Sequence, residues 1–285
     1  MSRLSVARLL QAVFLIVLTM VSNSALAVNY QALVDADVRK FQAYIHKEFP
    51  DVRTADFADG VYAIDSQARK QWKEVEEFPP YDLAVDEGKA LFNKPFANGK
   101  SLAGCFPNGG AVRNKYPYFD EKRGQVVTLE MAINDCLTAN GEKPLNGMKG
   151  DLAKISAYIA FISRGQPIHV KVESAAAYKA YLKGKQFFYA KRGQLNMSCA
   201  GCHMEYAGRQ LRSEIISPAL GHTTHFPVFR LKWGEIGTLH RRYAGCNENI
   251  GAKPLAAQSE EYRDLEFFQT AMCNGLSFNG PASRK

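Results

Sequence analysis

Residues 128–165 can be laid without gaps on residues 238–275 at a constant offset of 110, with eight of the 38 columns identical. The identities are Thr128/Thr238, Leu129/Leu239, Cys136/Cys246, Gly141/Gly251, Lys143/Lys253, Pro144/Pro254, Leu145/Leu255 and Gly165/Gly275. Upstream, at an offset of 97, Leu102-Ala103-Gly104-Cys105-Phe106 lies on Cys199-Ala200-Gly201-Cys202-His203. A unit present twice must fold twice, so the pattern predicts two tandem domains of one kind, divided between Pro167 and Ser174. Apolar residues recur at three- and four-residue spacing in Tyr30–Phe49, Gln67–Phe78, Gly150–Ser163, Ala175–Tyr189 and Ser259–Met272, each of which reads as a helix. Strand signals are few. Gly, Pro and Asn gather in 95–110, 140–150 and 247–254, which predicts long loops in a mostly α chain.

Cys199-Ala200-Gly201-Cys202-His203 is the C-x-x-C-H pattern of covalent haem c attachment, with zinc or redox C-x-x-C as the other readings of the spacing. Two thiols at that separation form thioethers with the haem vinyl groups, and the adjacent histidine reaches the iron from the same turn. His203 is then the proximal ligand, with its other ring nitrogen expected on a backbone carbonyl. Both predicted units are accordingly cytochrome c-like: a first over 28–170 and a haem-binding second over 171–285.

The chain begins as an exported one. Arg3 and Arg8 precede a 13-residue apolar run, Leu9–Val21, and Ala25-Leu26-Ala27 has the small-x-small form of a signal-peptidase site. The run is shorter than the roughly 20 residues that span a bilayer, so a signal peptide over 1–27, a periplasmic product and no membrane span after processing are expected. Cleavage leaves 258 residues and lowers the formal charge from +8 to +6. The basic excess favours anionic partners. Nucleic acid is not among them, because the charges are scattered and no RNA-binding or helix-turn-helix signature occurs.

The cysteines supply the remaining logic. For the sixth iron ligand, Met197 and Met204 flank the attachment site on the proximal side and Met272 reads as core. Cys246 is better placed, 43 residues after His203, in a predicted loop that crosses the haem. Thiolate is a recognised haem ligand, and Arg241 and Arg242 favour the deprotonated thiol. In the first copy Leu102 and Phe106 replace a thiol and the histidine, so that copy has lost its haem. Its remaining cysteines, Cys105 and Cys136, occupy positions around one vacated crevice and are expected to form a disulfide. His222 and His225 have metal-like spacing, but nothing obvious completes a site, which favours structural or hydrogen-bonding roles. His46, His169 and His240 have no distinguishing context.

His225-Phe226-Pro227, Trp233, Arg241-Arg242-Tyr243-Ala244-Gly245-Cys246, the upstream C-x-x-C-H and Asn274-Gly275-Leu276 together resemble the SoxA family, single-haem type, over nearly the whole mature chain. Cys273 departs from that pattern, where serine is common. The resemblance implies the cytochrome c subunit of a SoxAX complex acting as an L-cysteine S-thiosulfotransferase. Thiosulfate would be joined oxidatively to a cysteine of the SoxYZ carrier, with electrons leaving through one haem c to a soluble cytochrome. It implies SoxX as heterodimer partner, a persulfide on the haem-ligating Cys246, and Arg242 as the arginine that binds the anionic sulfur species. Arg241 could share that work or lie on a solvated face. Two other functions fit the residues: a plain electron carrier, which has no use for a cysteine beside two arginines, and a non-catalytic docking subunit.

Overall fold

The computed structural model describes residues 28–211 and 213–284; the predicted signal peptide lies outside them. Helix α1 (Tyr30–Glu48) opens where the Asn29 side chain accepts from the Ala32 amide at 3.0 Å. It buries Val34, Val38, Phe41 and Ile45, one stripe at helical spacing. A 3-10 segment (Thr54–Ala63) and α2 (Ser66–Val75), capped by Asp65, follow. Then come α3 (Asp82–Asn93), the hairpin β1 (Tyr118–Asp120) and β2 (Gln125–Val127), α4 (Leu129–Ala139) and α5 (Asp151–Ile162). The second half holds α6 (Ala175–Tyr189), a π-helical turn (Gly201–Glu205), the small pair β3 (Gln210–Leu211) and β4 (Glu214–Ile215), β5 (Val228–Arg230), β6 (Glu235–Gly237), α7 (Leu239–Asn249), α8 (Glu260–Met272) and β7 (Ala282–Arg284). β5 pairs antiparallel with β6 and parallel with β7.

The hairpin and two helices recur at the spacing seen in the sequence. β1, β2 and α4 are displaced by 110 residues from β5, β6 and α7 at both ends, and α5 ends 110 residues before α8 does. Helix crossings recur as well. A Cβ on Gly88 of α3 would stand 2.0 Å from the Lys154 carbonyl oxygen of α5, and one on Gly184 of α6 would stand 1.9 Å from the Asp264 carbonyl oxygen of α8. Only glycine lets two helix backbones approach so closely. The halves also grip each other reciprocally: Thr128 Oγ1 donates to Gln258 Oε1 at 2.7 Å, and Thr238 Oγ1 to the Gly147 carbonyl at 2.9 Å.

α1 precedes both units and packs on the second. Phe41 meets Phe188 and Phe268 with ring centroids 6.2 and 6.5 Å apart, and Tyr181 donates to Asp37 at 2.9 Å. The first half keeps its own core of Phe92, Leu102, Phe106, Val112, Leu129, Ile133 and Ile155. Cys105 and Cys136 are disulfide-bonded beside it, with Cα atoms 6.2 Å apart.

Five predicted helices are present, with α2 ending three residues before the expected Phe78. One expectation about the site is overturned. Cys246 stands inside helix α7 and not in a loop. Gly245, two arginines and few apolar residues hide the helical period there, but Tyr243, Ala244 and Asn247 supply a face buried against α8.

Candidate haem site

The attachment sequence begins a short helix. Ser198 Oγ accepts from the Gly201 amide at 2.9 Å, and Cys199, Cys202 and His203 follow on a single turn that passes into the π-helical segment. Cys199 and Cys202 remain free thiols. Burial pushes the Cys199 thiol up to about 11 against the opposing charge of Arg192. Cys246, also free, is close enough for its charge to be felt by both.

A loop wraps His203. The Ser217 carbonyl accepts from its Nδ1 at 2.8 Å, as expected, and the Ala219 amide donates to its backbone carbonyl at 2.8 Å. Burial holds the ring down to about 4, opposed by the Ser217 hydrogen bond and reinforced by Arg242. A neutral imidazole with Nδ1 engaged has its Nε2 lone pair for a metal. Two unpaired thiols, one such imidazole on the same turn and a third thiol nearby are the donor set that haem c requires, so the residues fit that cofactor.

Helix α7 presents two faces. Leu239, His240, Tyr243, Ala244 and Asn247 are buried, and Arg242 and Cys246, one turn apart, share the other face. Arg241 is engaged: its Nη1 lies 2.9 Å from Glu235 Oε1 and its guanidinium 4.4 Å from the Trp233 ring centroid. Arg242 has no hydrogen bond or ion pair among the described residues, although its charge reaches His203, His222 and Arg230.

His222 and His225 diverge, and among the described residues no His, Cys, Asp or Glu cluster could hold a metal ion. His225 is fully buried 5.4 Å from the Trp72 ring. His222 lies against His203 with Nε2 to Nδ1 at 2.9 Å, and burial, with the His203, Arg242 and Arg284 charges behind it, holds its pKa well below the ordinary value. Behind it stand Gln269, 3.2 Å from its Nδ1, and Tyr243, which donates to Gln269. Sequence reasoning had no means to assemble this chain, since its members are scattered over 66 residues. Met272 is core, as expected. Cys273 is fully buried, which raises its thiol, and it receives hydrogen bonds from the Gly221, His222 and Thr223 amides. Ser163, 110 residues earlier, accepts from the Arg113 amide at 3.0 Å, the counterpart of Thr223. Cys273 thus does the work of a serine, tying a loop to the end of a helix.

Comparisons with known proteins agree with this geometry. The profile described as "SoxA/TsdA, cytochrome c domain" matches residues 87–168, the half that carries the disulfide. The L-cysteine S-thiosulfotransferase subunit SoxA of Chlorobaculum tepidum is 79% identical over 258 residues, covering 90% of each chain. That of Allochromatium vinosum is 53% identical over 86% of this chain and 88% of its own. Among solved structures, SoxXA from P. pantotrophus superposes with a TM-score of 0.70 at 29% identity, over 76% of this chain and 84% of that one. The chain therefore belongs to the SoxA family.

Proposed function

We propose that this chain is the catalytic haem subunit of a periplasmic L-cysteine S-thiosulfotransferase, which joins thiosulfate to a cysteine of a SoxYZ carrier. Cys199 and Cys202 hold one haem c, His203 and Cys246 are its axial ligands, and Cys246 carries the persulfide. The haem, when bound, accepts the electrons that the reaction releases and passes them to a soluble cytochrome. The reaction forms one S–S bond between the carrier sulfur and the outer sulfur of thiosulfate, and it releases the thiol proton and two electrons.

The observation that carries the reading is the unpaired Arg242 one helical turn before Cys246. A guanidinium that the protein leaves unneutralised offers a rigid fork of donors to sulfonate oxygens. Arg242 orients the anion so that its outer sulfur meets Cys246, and Arg241, held by Glu235 and Trp233, stays out of that work. A plain electron carrier needs neither group.

The duplication belongs to the same reading. Residues 28–170 form a cytochrome c-like unit that has lost its haem, and residues 171–285 form the unit that keeps one. The element bounds repeating at 110 and the match of a cytochrome c profile to 87–168 support this, with Leu102 and Phe106 filling the space of a thiol and a histidine. The SoxXA likeness supports a SoxX partner. No helix among the described residues is long and apolar enough to cross a membrane.

Intact mass of the alkylated complex, with and without cyanide, tests the assignment. One covalent haem and a cyanide-labile added sulfur are expected, the latter lost in Cys246→Ser together with the low-spin thiolate signal in electron paramagnetic resonance. An unchanged spectrum in that variant would remove Cys246 from the iron.

A further inference from the structure

We propose that His222 is a positioning residue for the haem's proximal ligand, and that its contact with His203 holds the iron toward the ferric state. The inference rests on the reading of His203 as an axial ligand and goes beyond it.

The geometry restricts where protons can sit. His203 Nδ1 faces two groups, the Ser217 carbonyl at 2.8 Å and His222 Nε2 at 2.9 Å. Only one proton fits on the line between the two rings, and the carbonyl has no proton to give, so the proton belongs to His203 Nδ1. It is shared between two acceptors, a carbonyl oxygen and an imidazole lone pair. The imidazole is the stronger base of the two. A ligating histidine whose second nitrogen donates to a basic partner gains electron density at the iron-bound nitrogen, as with histidines backed by carboxylates. The higher iron oxidation state is thereby favoured.

His222 is built into this position from two sides. Its Nδ1 stands 3.2 Å from the Gln269 amide, which can offer a donor or, turned over, an acceptor, and Tyr243 holds the far end of that amide. Its backbone amide and those of Gly221 and Thr223 are fixed by the Cys273 sulfur. The rings of His203 and His222 meet edge to face, with centroids 4.1 Å apart and planes at 83°, which aims one nitrogen at the other. Tyr243 lies on α7, so the chain Tyr243, Gln269, His222, His203 joins the helix that carries Cys246 to the opposite side of the haem. The supports of one axial ligand are also those of the other.

The test uses the full chain in complex with its haem-bearing partner subunit. In His222→Phe the haem content by pyridine haemochrome should be unchanged, and the midpoint potential of this haem should rise. The expected shift is about tenfold in the ferric-to-ferrous ratio at fixed applied potential, or ~59 mV for a one-electron couple. The ferric low-spin resonance should move with it. His222→Gln, whose amide still offers an acceptor, should recover part of the shift. A haem-replete His222→Phe with unchanged midpoint and resonance overturns the proposal. Should that variant fail to take up haem, Gln269→Leu, which releases His222 Nδ1, decides by the same two readings. His203→Ala is the separate control: a wild-type spectrum there would overturn His203 ligation itself.

Discussion

Arg241 and Arg242 are adjacent in sequence, and the roughly 100° that a helix turns per residue sends them to different work. Arg241 joins Glu235 and Trp233, and Arg242 turns its charge toward the histidines. Arg242→Ala should therefore keep haem and lose turnover by roughly 30- to 1000-fold, the loss of a charged bidentate contact worth about 2–4 kcal/mol away from water. Arg242→Lys should recover only part, because an ammonium keeps the charge without the fork. Arg241→Ala should leave turnover near wild type and cost about 1 kcal/mol of stability, read by thermal melting. Steady-state rates at subsaturating thiosulfate check all three. At this scale the sequence was informative where chemistry forces a spacing: Cys199, Cys202 and His203 could be placed with no structure at all. It was silent on His222 and Gln269, whose roles arise only when distant segments pack together.

Among the elements, helix crossings decide the architecture, and each half has one glycine at the crossing. In Gly184→Ala the new methyl group meets the Asp264 backbone carbonyl, with Phe268 Cβ 2.9 Å away. Backbone cannot step aside as a flexible side chain can, so α6 and α8 must separate. The expected cost is about 1–3 kcal/mol or more, read as a lowered midpoint in chemical denaturation, with Gly88→Ala behaving alike in the first half. Gly245→Ala is the contrast, since nothing stands within 4 Å of a Cβ there. Five helices could be read from periodicity and caps, because α1, α5, α6 and α8 carry broad apolar faces and α2 a capping Asp65. α7 escaped because its buried face includes His240 and Asn247, polar residues made acceptable inside by partners that sequence does not display. Asn247 donates to the Tyr262 hydroxyl at 2.7 Å, and His240 Nδ1 accepts from the Gln258 amide at 3.0 Å.

The whole molecule is held across its halves. Glu266 of α8, 1% exposed, lies 3.5 Å from Arg113 of the first half and 3.2 Å from His240 at the start of α7. Removing one partner of a buried ion pair costs on the order of 3–5 kcal/mol, so neither half is indifferent to the other. The Cys105–Cys136 bond, 31 residues apart, should contribute on the order of 3.5–4 kcal/mol in the chain-entropy model. Replacing both cysteines by serine should lower the unfolding free energy by up to that amount and leave haem attachment intact, as denaturant titration and haemochrome analysis would report. Repetition in the sequence made the two units legible. Their mutual grip was not, since Thr128, Gln258, Thr238 and Gly147 meet only in three dimensions. The shared Glu266 has an optical corollary. Because the same carboxylate answers to Arg113 and to the helix that carries Cys246, collapse of the colourless half must disturb the coloured one, and the Soret band becomes a thermometer for residues that never touch the pigment.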